Sequence, residues 1–282
     1  MLEALEERCV GLKPEVFRET RSSLFRKLQN IYGLVADAPL GASPEDLRRQ
    51  SCQAFAELFE STNYLVFGEE YLPEEPGHIF IMNHLSNHLN NLLPGCFVPT
   101  LDTHFVSAMI LHKKYGEPPM RVVRESNPDE HEHKRYYDRL GHIYVRSGNV
   151  NPLEDGSNGG TSGEHNRLFL TVAGERLREG KNIVICPEGI STETEFSPMP
   201  FKAGAFRLAA YVRPEPLLVP IAVANFDKEI TRTKTVAVVH EPIRLSEHLG
   251  EAFDDRSLYE FINGYVHERF HGYVREAVQL GS

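Results

Sequence analysis

Apolar residues recur at helical spacing early in the chain and in short unbroken runs later, and this change of pattern predicts the elements. In the segment from Pro14 to Leu34, Val16, Phe17, Leu24, Phe25, Leu28, Ile31 and Tyr32 share helical spacing, and Pro14 suits a first helical turn. Ala38-Pro39-Leu40-Gly41 breaks that helix. Ser43-Pro44-Glu45-Asp46 then supplies an N-cap, an N1 proline and an acidic first turn for a second helix carrying Cys52, Phe55, Leu58 and Phe59 and ending near Asn63. From Gly77 onward, the runs His78–Met82, Phe105–Leu111, His142–Val145, Asn182–Cys186, Leu217–Ala224 and Thr235–His240 predict strands buried on both faces. Helical patterns fall at Pro128–Leu140, His165–Arg178, Ala203–Arg213 and Arg256–Val278. The alternation predicts an α/β fold, a mostly parallel central sheet flanked by helices, over residues 73–282. Residues 1–72 are expected to form a helical N-terminal segment. Residues 148–164 are rich in Gly, Asn and Ser and read as a loop, either a lid or a surface insertion.

Composition narrows the function. The 282-residue chain has 30 Lys+Arg against 40 Asp+Glu, a formal charge of −10, which argues against a nucleic-acid partner because phosphate contacts need a basic surface. The longest uncharged stretch, Pro76 to Leu101, carries prolines, histidines and asparagines that a lipid-facing helix excludes. The acidic start of the chain does not resemble a secretory signal, and Cys9, Cys52, Cys96 and Cys186 lack paired spacing, so a cytoplasmic protein with reduced thiols is expected. Lys13, Arg18, Arg21, Arg26 and Lys27 outnumber Glu15 and Glu19 on the first helix. That helix is either a peripheral contact with an anionic membrane surface or a helix packed on the main domain. Asp129-Glu130-His131-Glu132-His133 has metal-ligating residue types, but a helix points His131 and His133 to opposite sides, so no metal is expected there.

Two segments can carry chemistry. Asn83-His84-Leu85-Ser86 follows the run His78–Met82, and a His where a buried strand ends and a helix begins is well sited as a general base. Alone, such a His reads as a helix cap or a member of a polar core network more readily than as a base. Cys186-Pro187-Glu188-Gly189-Ile190-Ser191-Thr192 follows another strand, and Phe201-Lys202-Ala203-Gly204 then opens a helix. Backbone N–H groups at such a turn can bind an anion or a developing oxyanion.

Taken together and in this order, these segments resemble the glycerolipid acyltransferase family, which includes the lysophosphatidate (1-acylglycerol-3-phosphate) acyltransferases. Asn83-His84-Leu85-Ser86 stands for the family's Asn-His-x-Ser block, and Gly141-His142-Ile143-Tyr144-Val145-Arg146 for the middle block ending in Arg. Pro187-Glu188-Gly189 with Phe201-Lys202-Ala203-Gly204 matches the third block, and Val219-Pro220-Ile221 the last. The resemblance spans about half the chain. It implies transfer of a fatty acyl group from an acyl-CoA or acyl carrier protein thioester to the hydroxyl of a lysophospholipid or glycerol-phosphate-like acceptor, with no cofactor beyond that co-substrate and no metal. His84 is the implied base.

The sequence departs from the family at two points. The family Asp, five residues after the His, is replaced by Leu89, and Asn90 or Glu188 is the candidate to orient the imidazole. Ile190-Ser191-Thr192 replaces Thr-Arg-Ser, so acceptor binding falls to Ser86, Arg146, Gly189, Ser191, Thr192, Lys202 and Gly204, with Arg146 or Lys202 as the source of positive charge. An apolar groove beside Leu89, Leu92, Leu93 and Phe97 is expected for the acyl chain. The alternatives are a catalytically impaired lipid-binding or acyl-binding relative, and an acyl (thio)ester hydrolase, the latter without a Gly-x-Ser-x-Gly nucleophile elbow.

Overall fold

The computed structural model describes residues 23–88, 93, 97, 99–145, 161–250 and 252–282. Helices α1 (Ser23–Ala36) and α2 (Pro44–Phe59) lead into strand β1 (Tyr64–Phe67), followed by β2 (Ile79–Met82). Helix α3 (Leu101–Phe105) runs on through a π-helical stretch (Val106–His112) and a last α-helical turn (Lys113–Tyr115). Then come β3 (Met120–Arg124), α4 (His131–Leu140), β4 (Ile143–Val145), α5 (Thr161–Arg178), β5 (Ile183–Ile185), α6 (Gly204–Tyr211), β6 (Leu218–Ala224) and β7 (Thr235–Val239). Helices α7 (Leu245–Leu249), α8 (Asp255–Phe261) and α9 (His267–Gly281) complete the chain, with a π-helical segment, Ile262–Val266, joining the last two.

The seven strands form one sheet in the order β1-β7-β6-β2-β5-β3-β4, and every neighbouring pair is parallel except β6–β7. Side chains alternate across a strand. Phe80 and Met82 of β2 therefore join a core with α1, α2, α3, its π-helical continuation and α4, while Ile79 and Ile81 join a second core with α5, α6, α8 and α9. The result is the layered α/β arrangement expected, with β2 and β6 buried along their whole length.

Three expectations are corrected. The run Phe105–Leu111 is helical, not a strand. Leu101 through Leu111 are buried without interruption, and a helix covered on all sides shows no apolar period to distinguish it from a buried strand. The segment 1–72 is not helical throughout. β1 lies inside it and pairs in register with β7, ending at Gly68 (φ +73°), where a Cβ would fall on the carbonyl oxygen of Val239. β3 was not expected as a strand because its arginines interrupt the apolar run.

Leu24, Leu28, Ile31 and Val35 of α1 are buried in the core, so this apolar face is packed on the sheet-covering helices and not presented to lipid. The part of the first predicted helix before Ser23 lies outside the described residues, as does most of the 148–164 loop. Among the described residues, no helix is long and apolar enough to cross a membrane.

Candidate active site

β2 and β5 are adjacent parallel strands, and the two chemistry-bearing segments leave their carboxyl ends side by side, the usual place for a ligand in an open α/β sheet. Asn83 fixes the exit of β2. Its fully buried amide accepts from Val223 N (2.7 Å) and donates to Val223 O (2.9 Å) and Ser197 Oγ (2.8 Å). The next residues are joined to the β5 side by main-chain bonds. Thr192 N donates to His84 O (3.0 Å) and Ser86 N to Thr192 O (2.8 Å), an isolated parallel bridge between Leu85 and Thr192.

Within that frame, His84 Nδ1 lies 2.7 Å from Asp102 Oδ2. Asp102, in the first turn of α3, is fully buried and also accepts from Leu85 N (2.8 Å, Oδ2) and Thr103 N (2.7 Å, Oδ1). Three donors thus fix one carboxylate against one imidazole. A carboxylate at Nδ1 selects the tautomer protonated there and leaves the Nε2 lone pair basic. Nε2 has no hydrogen-bond partner among the described residues, and the His84 side chain is 19% exposed. Burial disfavours the imidazolium, but the charge and hydrogen bond of Asp102, with Glu188 nearby, outweigh it and hold the His84 pKa above its ordinary value.

Glu188 reaches His84 at a different atom from the one expected. Its Oε1 accepts from the His84 main-chain N–H (2.7 Å) and its Oε2 from Met199 N (2.6 Å), so it anchors the backbone of the His and leaves the ring to Asp102. Only 2% exposed, its carboxyl is pushed up to about 7 by burial, against the pull of its two N–H donors and of His84. The role given to Asn90 as orienter falls outside the described residues, as does Arg146, and the Nδ1 position is filled by Asp102.

The remaining predicted residues sort by distance from this dyad. Ser86 and Thr192 are brought beside His84 through the main-chain bridge. Gly189 turns the chain with φ +68°, and a Cβ there would sit 2.7 Å from Lys202 Nζ, so the glycine lets the exposed Lys202 side chain lie along the turn. Lys202 N is tied back to Pro187 O (2.8 Å). Ser191 is half-buried in the same turn, and Gly204 opens α6 with nothing within reach of its Cβ position. Of the residues expected beside an acyl groove, Leu89 and Leu92 lie outside the described residues, and Leu93 and Phe97 do not line one. Both are buried in the core, where Phe97 packs against Tyr32 and Tyr136. Among the described residues, no group of His, Cys, Asp and Glu is placed to hold a metal ion, and Glu130 of the acidic segment is bound to Arg124.

Sequence reasoning missed Asp102. It lies eighteen residues beyond His84, just ahead of a run expected to be a strand. One signal was present: Asp102 is the sole acidic residue between Pro76 and Gly116.

A family model described as Acyltransferase matches residues 63–224, more than half of the chain, opening one residue before β1 and closing at the end of β6. Among solved structures, the chain is similar to PlsC, the 1-acyl-sn-glycerophosphate (LPA) acyltransferase of Thermotoga maritima. The TM-score is 0.50 at 15% sequence identity, over 87% of this chain and 93% of that one, a likeness of fold. No curated protein sequence matches the chain.

Proposed function

Because the chain belongs to the Acyltransferase family, we propose that it moves a fatty acyl group from a thioester, on coenzyme A or acyl carrier protein, to the hydroxyl of a lysophospholipid or glycerol-phosphate-like acceptor, with His84 as general base. The observation that carries this reading is the 2.7 Å contact between His84 Nδ1 and the buried Asp102 carboxylate at the carboxyl end of β2. His84 Nε2 takes the acceptor hydroxyl proton as the oxygen attacks the thioester carbonyl carbon. The C–S bond then breaks, and the proton passes from His84 to the departing thiolate. Asp102 stabilises the imidazolium between these steps. The Ile190 and Ser191 main-chain N–H groups, without hydrogen-bond partners among the described residues, are the candidate donors to the oxyanion. Lys202 is the candidate contact for an anionic acceptor head group. With Ser191 where the family carries Arg, the site offers one flexible ammonium and no bidentate fork, which favours acceptors with a singly contacted phosphate over those that need a clamp.

The test is a product screen by mass spectrometry. Wild type and His84→Ala are offered acyl-CoA or acyl carrier protein thioesters with lysolipids bearing or lacking a phosphate monoester. A new ester formed by wild type and reduced at least about 100-fold in His84→Ala supports the reading. Equal ester formation by both proteins, or free fatty acid as the sole product, overturns it.

A further inference from the structure

Among the described residues, the buried Asp, Glu, Lys and Arg side chains are Asp102, Arg121, Glu188 and Asp227. Asp227 pairs with Lys228 at 2.8 Å. The other three converge on His84.

Arg121, on β3, is 5% exposed and has no carboxylate within ion-pair distance among the described residues. Its Nη1 donates to Thr103 Oγ1 (3.1 Å), and its Nε and Nη2 lie 3.2 and 3.1 Å from His142 Nε2. Nη1 also lies 3.1 Å from His104 Nδ1, but that nitrogen is 2.8 Å from Thr100 O and so carries a proton. A neutral imidazole offers one lone pair, and the Arg121 main-chain N–H also lies 3.2 Å from His142 Nδ1, so His142 cannot satisfy all three donors of Arg121. A buried guanidinium with so few acceptors is costly unless nearby charge repays it.

That charge is the dyad. The guanidinium bonds Thr103 Oγ1, and the Thr103 main-chain N–H bonds Asp102 Oδ1, so two hydrogen bonds separate Arg121 from the carboxylate that holds His84. The buried Asp102 carboxylate, joined by Glu188 as that group ionises near pH 7, favours a protonated His84 when unopposed. We propose that Arg121 is a positioning residue of this site: its guanidinium, joined to Asp102 through Thr103, fixes the dyad carboxylate and supplies the counter-charge that keeps His84 available as a base.

Other titratable groups surround both His84 and Arg121. Around His84 they are Asp102, Glu188 and Arg121, and the Cys186 thiol, which burial holds neutral, faces the same three groups. Around Arg121 they are His104, His142, Tyr136, Tyr137, Tyr144, Cys52 and, farther off, Arg48. Burial and then Arg121 push both His104 and His142 well below the ordinary imidazole value, so neither titrates near neutrality.

The inference rests on the reading of His84 as base, but its test does not need turnover. The His84 imidazole is followed by NMR titration in substrate-free wild type, Arg121→Met and Arg121→Lys, alongside pH profiles of kcat/KM. Removing the positive charge makes the imidazolium easier to form. The His84 titration is therefore expected to rise by on the order of one pH unit in Arg121→Met, taking the acid limb of kcat/KM with it, and to return most of the way in Arg121→Lys. An unchanged His84 titration in a folded Arg121→Met protein overturns the proposal, whatever happens to rate. Should Arg121→Met not fold, Arg121→Gln removes the charge and keeps an N–H donor for Thr103 Oγ1. A rise is again expected, and an unmoved titration again overturns the idea. Acyl transfer by wild type with no titration shift refutes the Arg121 role alone, whereas a shift with no acyl transfer on any acceptor refutes the catalytic reading alone.

Discussion

At the scale of single residues, the protonation of His84 governs the proposed chemistry, and two buried carboxylates divide the work around it. Asp102 sets the ring, and Glu188 sets the main chain that carries the ring. Because Asp102 lifts the His84 pKa above 6.5, the base is lost as pH falls through that raised value. The acid limb of kcat/KM is expected above pH 6.5 in wild type. A limb at or below 6.5 would show that Asp102 does not dominate the ring. Glu188 titrates in the opposite sense to an ordinary paired acid. Its folded pKa of about 7 lies above the ordinary 4.5, so the stability it contributes is present below about pH 4.5 and is lost as pH rises through 7. Glu188→Gln removes that titration. The difference in thermal midpoint, wild type minus variant, should fall between pH 4.5 and 7 and level off above. A difference that is flat from pH 4.5 to 8 would contradict the assignment.

At the scale of elements, the strands beside the site were legible, and the element that brings the carboxylate was not. β2, β5, β6 and β7 are short, β-rich and buried, and their expected bounds lie within a residue of those found. The same burial concealed α3, since a run apolar on every side reads alike as strand or helix, and Asp102 was lost with it. Glu188 was a candidate partner of His84 only if its turn brought the two together. Which atoms meet depends on the turn that ties Lys202 N to Pro187 O, and spacing alone does not contain that. The turn itself makes a prediction. Gly189→Ala forces a left-handed φ on a side chain and drives Cβ into Lys202 Nζ. It should cost about 1–2 kcal/mol of stability and, by displacing Lys202, raise KM for phosphate-bearing acceptors more than it lowers kcat. Unchanged KM in a normally folded variant would remove Lys202 from acceptor binding.

At the scale of the whole molecule, the N-terminal helices belong to the body that holds the site. α1 and α2 share one core with Phe80 and Met82 of β2, with α3 and with α4, so the layer that carries Asp102 is itself supported from the N-terminal side. Leu28, 1% exposed, sits in that core. Leu28→Ala should destabilise the protein by about 2–5 kcal/mol in denaturant unfolding, with or without lipid vesicles. A loss under about 0.5 kcal/mol, the range of surface substitutions, would mean that α1 is dispensable to the fold and free for another use. The family match begins at residue 63 and takes in β1, so the catalytic layer extends upstream of the first recognised motif.

The most direct test of the central claim, that His84 works as a base because Asp102 holds it, is the ester-forming rate of Asp102→Asn beside His84→Ala and the double variant, each shown to fold by circular dichroism. In the serine-protease precedent the equivalent change lowers turnover about 10⁴-fold. Here a loss of at least about 100-fold is expected, with the double variant no slower than His84→Ala, because the two residues act as one unit. An Asp102→Asn protein within about threefold of wild type, or a double variant slower than His84→Ala by the full Asp102→Asn factor, would contradict it.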